Sequence, residues 1–150
     1  MQILRKKNED ILKQSICKAI VNPVNCVGVM GKGLAKQFKA RYPDNFVFYR
    51  GVCRRRELRM GQVLTHRIPN TGVNNIITSS IHLLQPAPYS TLLHFIINFP
   101  TKKHWRNRSH LHDIAAGLKA LKRDLEINNI ESVAIPKLGC GLGGLNWTDI

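Results

Sequence analysis

Acidic side chains are scarce in this chain. Nine Asp and Glu stand against 23 Lys and Arg, so the formal net charge is +14 at pH 7. Such an imbalance points to a polyanionic partner, nucleic acid most simply, although basic surfaces also occur on proteins that never touch one. Cysteine is sparse too: four residues, with neither a CxxC pair nor the spacing of a metal site. Cys17, Cys26, Cys53 and Cys140 therefore read as reduced thiols, and no metal is expected. Apolar stretches such as Leu92–Ile97 are too short to span a bilayer, so no membrane partner is expected. The opening MQILRKKNED lacks the apolar region of a signal peptide, which makes the cytoplasm the expected location. With 150 residues the chain is long enough for one domain with a real core, 1–150, but not for two.

Two common nucleotide motifs are also missing. GxxxxGK[ST] does not occur, which disfavours NTP hydrolysis. Gly28, Gly31 and Gly33 follow GxxGxG rather than GxGxxG, which disfavours a dinucleotide oxidoreductase. What is present is VNPVNCVGVMGKGLAKQF, from Val21 to Phe38. An apolar run, Ala19–Val21, leads through Asn22 and Asn25 into a glycine loop, and an amphipathic helix pattern begins at Leu34. Strand, glycine loop and helix together hold phosphates, because loop N–H groups turn toward the anion and the helix N-terminus adds partial positive charge. A second glycine loop, LGCGLGGL at Leu138–Leu145, follows the apolar run Val133–Ile135. On neighbouring strands, two such loops could enclose a diphosphate from both sides.

The rest of the pattern alternates strand and helix. A buried strand is expected at Ile16–Val21. Leu34, Phe38 and Tyr42 recur at helical spacing until Pro43, and Asp44 reads as the N-cap of a second helix running into Arg54, Arg55 and Arg56, a solvated face. Gly61–Ile68 reads as a strand, and residues 69–91 as an insertion or long surface loop. Leu93–Phe99 is the next strand, closed by Pro100 and Thr101. Ile114, Leu118, Leu121 and Leu125 mark a helix with Lys119, Lys122 and Arg123 outward. Ile130–Pro136 is a last strand, and Asn146 or Thr148 would cap a further helix. This alternation argues for an α/β layered fold. Asp10, Asn22–Gly33, Asn98–Arg108 and Gly139–Leu145 then fall at strand C-terminal ends, where α/β sheets bind ligands.

Together these segments resemble the macro domain, the ADP-ribose-binding fold. The resemblance runs from about Asp10 to Asp149, interrupted by 69–91. VNPVNCVGVMGKGLAKQFKARYPDNF, INFPTKKHWR, DIAAGLKAL and AIPKLGCGLGGLNW look like one branch, the DNA ADP-ribosyl glycohydrolase antitoxins of bacterial toxin–antitoxin pairs. That resemblance implies a three-layer α/β/α fold around a central mixed sheet, with a last helix and strand that this sequence lacks. It implies a hydrolase without cofactor, monomeric, releasing ADP-ribose from thymidine in single-stranded DNA, with an ADP-ribosyltransferase toxin as partner. Alternatives are an ADP-ribose reader, an ADP-ribose 1″-phosphate phosphatase, and a hydrolase of protein-linked ADP-ribose.

By position, the resemblance places the catalytic residue at Lys102, after NFPT, and the ribose-positioning residue at Asn25. ADP-ribose would meet Asn22, Gly28, Val29, Met30, Gly31, Gly33, Thr101, Leu138, Gly139, Cys140, Gly141 and Leu142. Asp10, with Ile11, would read adenine, although Glu9 stands where the family has glycine. A related branch acting on protein glutamates carries an aspartate where this chain has Gly143, which favours the DNA branch. Lys103, Arg106 and Arg108 are candidates for DNA phosphate contacts, and Trp105 for base stacking or for packing at a strand–helix junction. His104, His110 and His112 read as surface histidines. A desolvated or cation-crowded Lys102 could attack the opened ribose as an amine, or it could stay protonated and stabilise developing charge.

Overall fold

The structure is a computed structural model that describes residues 10–13, 16–69 and 93–150. Its centre is strand β1, Ala19–Asn25, whose residues are almost all buried. A strand buried on both faces is what a parallel neighbourhood requires. β1 runs parallel to β3 (Phe95–Lys102) on one side and to β4 (Val133–Ala134) on the other. β2 (Leu64–Arg67) pairs antiparallel with β3, giving the order β2-β3-β1-β4 and a mixed sheet.

Alternation along β1 and β3 sorts side chains between two helical layers. Ala19, Val21, Ile97 and Phe99 face α3 (Leu111–Ile127) and pack with its Ile114 and Leu121 and with Leu138. Ile20 and Ile96 face the other way, onto Phe38 of α1 (Gly33–Arg41) and onto Tyr42. Helix α2 (Pro43–Arg54) adds Tyr49, Val52 and Cys53, packed with Val24 and Met30. The expected three-layer α/β/α arrangement is therefore the observed one. Short 3-10 turns at Ile11–Lys13 and Trp147–Asp149 complete the described elements.

Several boundaries differ from those read in the sequence. The first strand starts three residues later than Ile16, which is 52% exposed, and continues to Asn25. Asn22 and Asn25 are thus strand residues, held by ladder pairing that an apolar-run criterion cannot see. β3 likewise runs on through Pro100 and Thr101. The register slips where Val24 opposes Pro100 and Asn25 opposes Lys102, leaving Thr101 as an extra residue, a bulge at the rim of the sheet. Pro43, not Asp44, opens α2: its missing N–H and fixed φ suit the first helical position, and Asp44 lies in the first turn. Only Leu64–Arg67 of Gly61–Ile68 and only Val133–Ala134 of Ile130–Pro136 form ladders. Asn146 does cap, its side chain accepting from the Thr148 N–H, but the element it opens is the short turn at Trp147–Asp149. From residue 70 onward, the expected 69–91 insertion lies outside the described residues.

Candidate active site

Both glycine loops leave C-terminal ends of adjacent parallel strands, the first after β1 and the second after β4. Lys102 ends β3, on the other flank of β1, directly across from Asn25. Three strand ends therefore converge, and Lys102 crosses the gap: its Nζ donates to the Leu142 carbonyl oxygen at 3.1 Å. The loops themselves approach closely. A Cβ placed on Gly33 would stand 3.7 Å from Leu142 Cδ1.

Asn25 shapes the first loop. Its Oδ1 accepts from the N–H groups of Val27 (3.1 Å) and Val29 (3.3 Å), and its Nδ2 donates to the Val29 carbonyl at 2.7 Å. Tyr49 holds Asn25 in turn, its hydroxyl lying 2.8 Å from the Asn25 carbonyl and 2.9 Å from Oδ1. Burial pushes the Tyr49 phenol far up, so it is a permanently neutral donor. Gly28 turns the loop at φ +80, backed against Cys53 and Arg50. Met30 is buried, whereas Val29 is 40% exposed beside it. Helix α1 then starts at Gly33 with no side chain capping it and no acidic residue in its first turn. An uncapped N-terminus with its N–H groups toward the loop is an anion seat.

The second loop is self-braced. Gly139 sits at φ +71, and its carbonyl accepts from the Leu145 N–H at 2.9 Å. The Gly143 carbonyl accepts from the Ser109 N–H at 3.0 Å. Leu138 is buried beneath, Cys140 is half-buried with its thiol toward the Leu138 carbonyl, and Gly141 and Leu142 face outward. A Cβ on Gly143 would overlap Ser109 Oγ and the Gly139 carbonyl. The aspartate of the protein-directed branch thus has no room here.

Other predicted residues sit differently. Asn22 lies beneath the loops, fully buried, with its Nδ2 3.0 Å from Asn98 Oδ1, and Asn45 and Asn98 exchange bonds of 3.1 and 2.8 Å. Thr101 is buried in the bulge, its hydroxyl directed to the Val24 carbonyl. Asp10 accepts from the Leu12 N–H, and Leu12 packs onto the α1 face. Among the described residues, no hydrogen bond links Asp10 or Ile11 to either loop. Lys103, Trp105, Arg106 and Arg108 are exposed just past Lys102. The Trp105 ring stacks on His104 at 5.1 Å, and the Arg106 guanidinium lies 4.5 Å from its centre.

Burial lowers the pKa of Lys102 from the usual lysine value. The same cause raises Cys26 to about 11, so this loop cysteine is a neutral thiol at physiological pH and no nucleophile. Among the described residues, no group of three or more His, Cys, Asp or Glu could hold a metal ion. A small cleft lined by Tyr42, Asp44, Asn45, His66, Ile68, Pro69 and Ile96 contains neither Lys102 nor a glycine-loop residue. Sequence reasoning missed Tyr49 and Ser109 as loop supports. Tyr49 lies on α2, 24 residues from Asn25 in sequence, so no local pattern links the two.

A family model described as Macro domain matches residues 21–150. A protein of Mycobacterium tuberculosis (strain ATCC 25618 / H37Rv) named DNA ADP-ribosyl glycohydrolase is 47% identical over 133 residues, 89% of this chain and 32% of that protein. The chain spans about a third of the length of the curated relatives it matches. Among solved structures, the macrodomain of Mycobacterium tuberculosis DarG superposes with a TM-score of 0.77 at 44% identity, over 95% of this chain and 81% of that one. Thermosipho africanus DarTG in complex with ADP-ribose gives 0.74 at 30% identity, over 93% and 34%. With its two glycine loops on adjacent parallel strands and this match over most of its length, the chain belongs to the macro domain family.

Proposed function

We propose that this macro domain is a hydrolase that removes ADP-ribose from nucleic acid, with thymine in single-stranded DNA as the modified base. The observation that carries the reading is Lys102, an amine placed opposite Asn25 and reaching the second glycine loop. The names of its relatives, a DNA ADP-ribosyl glycohydrolase and a protein solved with ADP-ribose, point the same way.

The diphosphate lies between the uncapped start of α1 and the Gly139–Leu142 backbone. The distal ribose then meets Asn25 and Lys102. Because burial lowers its pKa, Lys102 holds a larger fraction of neutral amine than an exposed lysine. The ribose ring opens as the C1″–O4″ bond breaks with its electron pair going to O4″; the amine adds to C1″ and its first proton passes to O4″. The bond from C1″ to the base nitrogen breaks, its electron pair leaves with the base, and the second proton shed by the amine goes to that nitrogen. Water then hydrolyses the imine and returns ADP-ribose and free Lys102. Lys103, Arg106 and Arg108 hold the phosphates of the strand. A DNA thymine ADP-ribosyltransferase makes the substrate and is the functional partner.

Borohydride tests the chemistry. Reduction during turnover on a thymine-ADP-ribosylated strand should leave an ADP-ribosyl adduct on Lys102, read by mass spectrometry. Full release with no adduct would sink the amine route and leave Lys102 an electrostatic role. No release at all by a folded protein that binds ADP-ribose would sink the hydrolase reading itself.

A further inference from the structure

The arginine run at the end of α2 has no part in the site described so far. The helix closes with N–H bonds from Arg55 to Gly51, from Arg56 to Cys53 and from Glu57 to Val52. Arg56 itself sits at φ +58. This is the left-handed position after a helix where glycine is strongly favoured and an L side chain is strained. Arg55 is paired with Glu57 at 2.8 Å. Arg54, Arg56 and Arg59 are exposed, and among the described residues no carboxylate lies within ion-pair range of them. An arginine occupying a glycine position, with its charge unanswered, points outward to a partner.

The placement says which one. Met60 Sδ lies 3.6 Å from Cys26 Sγ, and the Cys26 N–H bonds the Lys103 carbonyl at 3.0 Å. The arginine run and the strip Lys103–Arg108 therefore flank one contact, Cys26 against Met60, at the same end of the sheet as Lys102. Arg50, one turn earlier in α2, backs Gly28 of the first loop. Arg59 is thus next in sequence to Met60, which touches Cys26, the residue that follows Asn25 and bonds the segment after Lys102. Trp105, two residues after Lys103, is 45% exposed.

We propose that Arg54, Arg56 and Arg59 form a second phosphate-binding track, which holds single-stranded nucleic acid beyond the nucleotide at Lys102. A single strand fits because it bends freely and can offer an unpaired base to the exposed Trp105 ring, which a duplex cannot. The choice of nucleic acid as occupant rests on the hydrolase reading; the track itself stands on charge and placement.

The test is direct binding of an unmodified, roughly 20-nucleotide thymidine strand by fluorescence anisotropy. The full chain is compared with R54A/R56G/R59A. Glycine is chosen at position 56 because it relieves the left-handed residue, so the melting temperature should not suffer there. A control, K119A/K122A/R123A, removes the same charge from the outward face of α3. For the arginine variant, affinity should fall on the order of tenfold, and the slope of log K against log salt should become shallower by about 2, near 0.7 for each lost phosphate contact. Free ADP-ribose should bind the arginine variant as it binds wild type. Unchanged strand affinity and slope would overturn the track, as would an equal loss in the α3 control, which would make the effect one of net charge. Failure of the hydrolase reading is seen separately, as no ADP-ribose release by wild type, and leaves this binding comparison intact.

Discussion

At the scale of single residues, the proposed reaction rests on one amine and one amide. Lys102 is lowered by burial, so protonation is disfavoured there relative to water. On the proposed amine route the reacting form is the neutral amine, whose fraction rises as pH passes through the pKa. Turnover should therefore increase with pH, with the midpoint of the rise below the ordinary lysine value of 10.5. A pH–rate profile that is flat, or that falls through the same range, would contradict the amine role. Asn25 is the amide, and Tyr49 fixes it through two short contacts. Tyr49→Phe removes a buried donor and leaves two acceptor positions on Asn25 underused. Stability should drop by about 1–3 kcal/mol, and ADP-ribose affinity should fall because the first loop loosens. Thermal melts with and without ADP-ribose check both. Neither residue's environment was legible in advance: the resemblance marked Asn25 and Lys102, but the support from Tyr49 needs the third dimension.

At the scale of elements, the helices were the legible part. Leu34, Phe38 and Tyr42, and Ile114, Leu118, Leu121 and Leu125, recur on one face and do pack inward. Strand ends were not legible, because pairing partners rather than hydrophobicity decide them. Asn22 and Asn98 are polar yet sit in the middle of the sheet, where Asn45 of α2 satisfies Asn98. No local pattern announces such a network. Two glycines carry element-scale predictions. Gly117 of α3 faces Phe99 of β3 so closely that a Cβ would overlap the ring. Gly117→Ala should cost about 1–3 kcal/mol by overpacking, read as a lower urea midpoint. Gly143→Asp places the acid of the protein-directed branch into space held by Ser109 and the Gly139 carbonyl. It should destabilise the second loop and reduce ADP-ribose binding, rather than confer activity on protein-linked ADP-ribose. Gain of that activity with an unchanged melting temperature would contradict the packing argument.

At the scale of the whole molecule, the net charge of +14 is the property that the proposed single-stranded substrate would exploit. Attraction between exposed cations and a phosphate chain is screened within about 8–10 Å at ordinary salt. Efficiency on a long modified strand should thus fall steeply with added salt, while efficiency on ADP-ribosylated thymidine alone should change little. The overall architecture was legible from alternation of elements and from the two glycine loops; that the loops lie on adjacent strands became clear only from the β1–β4 pairing. The most direct measurement is ADP-ribose release from thymidine-modified single-stranded DNA by wild type and Lys102→Ala side by side, with ADP-ribose affinity measured for both. The account predicts release by wild type alone, with release falling at least about 100-fold in the variant and binding kept within a few-fold. Equal release by the two proteins would contradict it.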